Sequence, residues 1–288
     1  MPAVNQPPFP AAQPVTHYEN FPVASVLCPP RLRPAVAAIY WFARTADDIA
    51  DEGDASAPQR LSDLAAYRAD LAAAAQDLEP SGRWPQVFAP LRDAIRQFRL
   101  PESLLADLLS AFAQDVEKSR DAAGYEDRTS LLDYCSRSAN PVGRLLLHLY
   151  AVQDATSLAQ SDCVCSALQL INFWQDLSQD IPRGRFYLPR EDCIANGVTQ
   201  GDLLALNQTP AATVLIATEV RWARALMQRG APLVHRLPGR AGWELRLVVQ
   251  GGLRILQRIE ASGFASLSVR HKLGKRDAPA ILWNALWM

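Results

Sequence analysis

The chain has 288 residues, 49% hydrophobic and 20% charged, with Lys+Arg 29 against Asp+Glu 30 and a net charge of −1. That length allows one large domain or two small ones with a sizeable core, and the even charge balance argues against a nucleic-acid surface. Five cysteines (Cys28, Cys135, Cys163, Cys165 and Cys193) without a CxxC pair argue against a disulfide framework or a zinc site. They read as reduced core residues of a cytosolic protein.

Residues 1–14 carry Pro2, Pro7, Pro8, Pro10 and Pro14 and no charge, the composition of a disordered leader. Order is expected from about His17, with residues 15–288 forming a single domain. No Lys or Arg precedes Arg31 and no apolar h-region is present, against a signal peptide. The longest apolar run, residues 35–43, falls far short of the ~20 residues of a membrane span. Pro29, Pro30 and Pro34 open a helix that runs to about Glu52, where Gly53 ends it. Ser56 and Pro58 open a second, to about Asp77. After a break at residues 80–82, residues 84–98 and 101–120 read as two more. Residues 130–150 read as one helix kinked at Asn140-Pro141, because proline removes a backbone donor there. A helix over 161–180 follows, then a basic turn at 182–185 and short helices near 190–196 and 200–206. Residues 210–229 and 240–263 read as long amphipathic helices. No segment sustains a two-residue alternation, so the pattern predicts an all-α protein.

Within two of these helices polar stripes interrupt apolar sequence. Gln169, Asn172, Asp176 and Asp180 fall at i, i+3, i+7 and i+11. Tyr40, Arg44, Asp47 or Asp48, and Asp51 follow a matching stripe at i, i+4, i+7 or i+8, and i+11. Each is a single helix face about 16 Å long. Facing each other, they would gather four or five carboxylates in one cavity, and such a cluster raises its own pKa values unless cations compensate it. Hard oxygen ligands suit Mg²⁺. Arg44 before the first acidic pair, and Arg183 and Arg185 after the second, complete a receptor for a diphosphate. Metal and arginine charge would stabilise that group as it leaves. Phe21, Tyr40, Phe42, Trp174 and Tyr187 are candidates to face a carbocation. No GxGxxG, P-loop, HExxH or GxSxG motif is present.

With these residues the chain resembles the squalene/phytoene synthase family of head-to-head isoprenoid synthases, from His17 to about Arg276. The first family motif, YxxxRxxDDxxD, is Tyr40, Arg44, Asp47, Asp48 and Asp51. The second, QxxNxxxDxxxD, is Gln169, Asn172, Asp176 and Asp180, followed by Arg185-Phe186-Tyr187. An HxxSF element appears as His17, Asn20 and Phe21, with Asn in place of Ser. Residues 17–25, 138–150 and 172–176 resemble the hopanoid-pathway hydroxysqualene synthases more than carotenoid-type members. Those members usually carry VAGxVG or VASxVG in place of residues 138–143, and Arg in place of Gln175. They often carry Tyr near Gly251-Gly252.

The resemblance implies a class I isoprenoid (terpenoid) synthase bundle with a central cavity. It implies conversion of presqualene diphosphate and water to hydroxysqualene and diphosphate, with Mg²⁺ and without NADPH. The catalytic residues would be Tyr40, Arg44, Asp47, Asp51, Asp176 and Asp180, with metal held by Asp47, Asp48, Asp51, Asn172, Asp176 and Asp180. His17, Asn20, Phe21, Asn140, Gln169, Asn172, Gln175, Arg185 and Tyr187 would bind substrate. Residues 138–141 are expected to line the cavity and orient water, the alternative being that Asn140 only caps the kink. Two rival readings remain: a presqualene diphosphate or phytoene-type synthase condensing two prenyl diphosphates, and a non-catalytic assembly factor. The second must ignore four intact aspartates. Expected partners are the prenyl or triterpenyl diphosphate, other hopanoid-pathway enzymes and no nucleic acid. The expected place is the cytoplasm, with peripheral contact at the inner membrane surface. That contact rests on the tail from Arg270 to Met288, which pairs basic residues with Trp283 and Trp287. The tail reads equally as a final helix docked on the core.

Overall fold

The computed structural model describes residues 28–288. The Pro-rich leader, the start of order near His17, and His17, Asn20 and Phe21 lie outside the described residues. Twelve α-helices and no strand are present among the described residues.

Helix α1 (Arg33–Asp51) starts with Pro34 in its first turn and buries Ala35, Ala38, Ile39, Phe42 and Ala46. That three-to-four spacing puts one stripe into the core and leaves the Arg44–Asp51 side free for other work. Helix α2 (Ala57–Ala75) begins where the Ser56 hydroxyl accepts a hydrogen bond from the Gln59 N–H. Helices α3 (Pro85–Phe98) and α4 (Glu102–Asp121) complete an N-terminal cluster around Phe42, Tyr67, Phe88 and Leu91. Stacking of Phe42 on Tyr67, with centroids 5.2 Å apart, anchors α1 to α2.

The helix expected over 130–150 is two helices, α5 (Arg128–Ser138) and α6 (Asn140–Leu149). Proline at 141 goes with a break in the helix rather than a bend. Ala139 turns to φ −115° and ψ −47°, and its N–H still closes on the Cys135 carbonyl at 3.0 Å. Helix α7 (Ala155–Asp180) is 26 residues long and starts six residues before the sequence expectation, because the Asp154 side chain caps it through the Ser157 N–H. It runs through the second apolar cluster and packs on α5 and α6. Its other neighbours are α10 (Pro210–Gly230) and α11 (Arg240–Ala261), which follow the short helices α8 (Arg190–Ala195) and α9 (Gln200–Leu204). Gly230 is where the end of α10 meets α7. A Cβ there would stand 2.6 Å from the Gln160 carbonyl oxygen, a backbone atom that cannot move aside. Helix α12 (Ala278–Leu286) closes the chain against α11, so the tail is a docked helix. No helix among the described residues is long and apolar enough to cross a membrane.

Candidate active site

Helices α1, α4, α5 and α7 and the turn after α7 enclose a cavity of about 700 Å³. The first stripe contributes Tyr40, Arg44, Asp47 and Asp51 to its wall, and the second contributes Gln169, Asn172 and Asp180. Arg183, Arg185 and Tyr187 enter from the turn. The two motifs therefore meet across one space, as their spacing predicts.

Arginines compensate most of the acidic groups. Arg44 reaches both Asp47, at 3.2 Å, and Asp48, at 2.7 Å. Arg185 pairs with Asp51 across the cavity. Arg270, from the segment after α11, grips Asp176 with two hydrogen bonds of 2.6 and 2.7 Å. Such a fork-to-carboxylate pair is the strongest geometry available to these groups. It also explains why Asp176 is buried and absent from the cavity wall although Asn172 and Asp180 on the same face line it. The Asp180 carboxyl is pushed up to about 7 by burial and by the neighbouring Asp176, against the opposing charges of Arg183 and Arg270.

Three further expected site residues sit behind the wall. Asn140 is buried and accepts a hydrogen bond from the Ser166 hydroxyl at 2.9 Å, tying α6 to α7. Gln175 is buried and does not line the cavity; it stands one residue, roughly 100° of helix turn, from Asp176. Asp48 lies outside the wall, on Arg44. Among the candidate aromatics, Tyr40 and Tyr187 line the cavity, whereas Phe42 and Trp174 are fully buried in the two cores. Their places are taken by Phe112, Tyr134 and Phe173. Phe173 and Tyr187 stack with centroids 3.6 Å apart and planes 7° apart. Ser138, at the end of α5, is the member of the 138–141 segment on the wall. Its hydroxyl is buried without a hydrogen-bond partner among the described residues.

Asp115 and Tyr134 are the pair that sequence reasoning missed. The Tyr134 hydroxyl donates to Asp115 at 2.7 Å, and both line the cavity. A signal existed: Tyr134 is one turn before Ser138 and shares its face. Asp115 stands in an α4 run beside Phe112 and Val116, where a carboxylate needs a partner. Burial is the main cause that pushes Asp115 up to about 7, with Asp47 adding to it and the Tyr134 hydrogen bond opposing it. The folded protein thus holds this proton to a higher pH than the unfolded chain does. Stability from this group is full at low pH and falls as pH rises between about 4 and 7. Asp115→Asn should therefore flatten the dependence of Tm on pH and melt higher than the parent at pH ~8, by a few degrees. Thermal melts of both proteins at about pH 5 and 8 check this, and an unchanged pH dependence would contradict it.

A cavity acidic and arginine-rich at one end, and aromatic along α4, α5 and α7, suits a polyanionic head on a long apolar body. An all-helical bundle with two such acidic helices around one cavity is a class I isoprenoid synthase. This chain belongs to the squalene/phytoene synthase family, which it matches over residues 15–277. It is 36% identical to a hydroxysqualene synthase of Zymomonas mobilis over 74% of this chain and 69% of the relative. It is 31% identical to a presqualene diphosphate synthase of Rhodopseudomonas palustris over 97% of both chains. The crystal structure of the squalene synthase HpnC from Alicyclobacillus acidocaldarius superposes with a TM-score of 0.78 at 35% identity, covering 86% of this chain and 90% of that one.

Among the described residues no three His, Cys, Asp or Glu side chains already stand together as a ready metal site. The carboxylates face arginines instead. The donor chemistry still fits Mg²⁺: all the candidate groups are hard oxygens, and Asp176 and Asp180 stand one turn apart on α7 with like charge.

Proposed function

We propose that this enzyme converts presqualene diphosphate and water to hydroxysqualene and diphosphate, in the cytoplasm and on a route to hopanoids. The observation that carries the reading is Ser138, a hydroxyl without a partner among the described residues, in the wall of a cavity that Phe112, Tyr134 and Phe173 also line. Relatives named hydroxysqualene synthase, at 33–36% identity, support it.

Mg²⁺ held by Asp47, Asp51, Asn172, Asp176 and Asp180, with Asp48 assisting, would supply Lewis-acid charge to the diphosphate. The residues themselves divide the remaining work. Arg44 and Arg185 stand where they can hydrogen-bond the diphosphate oxygens and orient the head group. The carbon–oxygen bond breaks with its electron pair going to diphosphate. Tyr40, Phe173 and Tyr187 present ring faces to the cyclopropylcarbinyl cation while it rearranges. The Ser138 hydroxyl, turned from its buried position toward the cavity, holds one water by a hydrogen bond, that water's oxygen bonds to the cation, and its proton passes to the released diphosphate. No nicotinamide is consumed, because water and not hydride ends the reaction.

A second reading, condensation of two prenyl diphosphates, is favoured by the presqualene diphosphate synthase relative that spans nearly the whole chain. Purified enzyme given presqualene diphosphate in one vessel and farnesyl diphosphate in another separates the two. Release of diphosphate from presqualene diphosphate alone supports the proposal; turnover of farnesyl diphosphate alone replaces it with the second reading.

A further inference from the structure

Helix α12 is amphipathic the wrong way round for a helix that only docks. Its inner side is small: Ala285 is fully buried, and its carbonyl accepts from Arg246 of α11 at 3.2 Å. Its outer side carries Leu282, Trp283, Leu286 and Trp287, which are 54%, 62%, 57% and 77% exposed. These four fall at i, i+1, i+4 and i+5, one face of the helix, and the two indoles touch with centroids 5.9 Å apart. On the neighbouring α11, Arg246, the residue that binds Ala285, also lies 5.3 Å from the ring of Trp243, itself 41% exposed. Scattered exposed apolar residues are ordinary, but four on one helix face, two of them touching tryptophans, mark an interaction site.

The charge around this face selects its partner. Lys272, Lys275 and Arg276 are exposed in the segment that leads into α12. The one acid of that segment, Asp277, is buried and taken up by Arg254 and Arg258 at 2.8 and 2.6 Å. No Asp or Glu follows it. An apolar, Trp-rich face beside exposed cations is complementary to an anionic bilayer, where indoles settle at the headgroup level and each cation adds attraction. The geometry points to α12, with Trp243, as a docking face for an anionic lipid surface, lying in the plane of the interface and not crossing it. The segment reaches this face directly from Arg270, the residue that binds Asp176, so docking would place the acidic end of α7 close to the lipid through one short connection.

The test uses the full chain and vesicles of phosphatidylcholine with or without phosphatidylglycerol. The chain should sediment with the anionic vesicles, and high salt should weaken this. Trp283→Ser/Trp287→Ser should lose most of the binding. Lys272→Gln/Lys275→Gln/Arg276→Gln should bind at least about tenfold more weakly. Both variants should keep the parent's circular dichroism and its turnover of detergent-dispersed substrate, since none of these residues lines the cavity. Failure of the parent to sediment would overturn the proposal. So would Trp variants that bind like the parent. A parent that dimerises without vesicles, through a contact the Trp variant lacks, and ignores lipid would assign the face to a second copy. A chain that binds vesicles only after removal of residues 1–14 would assign it to the leader. Each of these last two outcomes also overturns the proposal.

Discussion

Asp176→Asn should lower turnover on the order of 10²- to 10³-fold while leaving the protein folded. The structure shows why these two effects separate. Asp176 is held by a two-pronged contact from Arg270 and sits one turn from both Asn172 and Asp180. Removing its charge takes a proposed metal ligand out of the diphosphate site, and charge developing on the leaving group is then undercompensated. On stability, two small terms oppose each other. The Arg270 pair is weakened, but that arginine is partly exposed and can turn to water, so the loss is of the order of 1 kcal/mol or less. Against it, Asp180 loses the like charge that helps to raise its own carboxyl. Melting temperature should therefore move by only a few degrees. Steady-state rates and thermal melts on the same preparation check this, and activity near the parent's would remove Asp176 from the site.

Ser138→Val should change the product without stopping ionisation. Valine replaces the hydroxyl with methyl groups, so a water has nothing to bind there. One lost hydrogen bond of about 1–3 kcal/mol corresponds to a roughly 5- to 150-fold fall in the ratio of alcohol to hydrocarbon products. Diphosphate release should continue within a few-fold of the parent. Asn140→Ala is the contrasting case. Its side chain answers Ser166 inside the wall, so its loss should cost about 1–3 kcal/mol of stability and leave the ratio alone. An unchanged ratio in Ser138→Val at full substrate conversion would defeat the water-holding role.

Much of this site was legible because helix geometry is regular. Spacings of three, four and seven residues place side chains on one face whatever surrounds them, so Tyr40, Arg44, Asp47 and Asp51 could be set opposite Gln169, Asn172 and Asp180 from sequence. The class of fold followed from the same periodicity. What was not legible depended on neighbours far along the chain. Asp176 shares its stripe with two wall residues, but Arg270, 94 residues later, covers it. Trp174 and Phe173 are adjacent in sequence, and only the packing of α10 and α11 decides which ring is core and which is wall. Pro141 announced a disturbance, yet whether the helix bends or breaks depends on the hydrogen bonds that Ala139 finds. Asp115 carried no motif, and its meaning lies in the Tyr134 hydroxyl that α5 brings to it.

The central claim is that water ends the reaction at the cation. Incubating the purified enzyme with presqualene diphosphate and Mg²⁺ in heavy-oxygen water, without NADPH, tests it most directly by mass spectrometry of the triterpene product. The product should be hydroxysqualene whose hydroxyl oxygen is the heavy isotope, formed in step with diphosphate release. Squalene or another hydrocarbon without label, or recovery of the diphosphate substrate untouched, would contradict it.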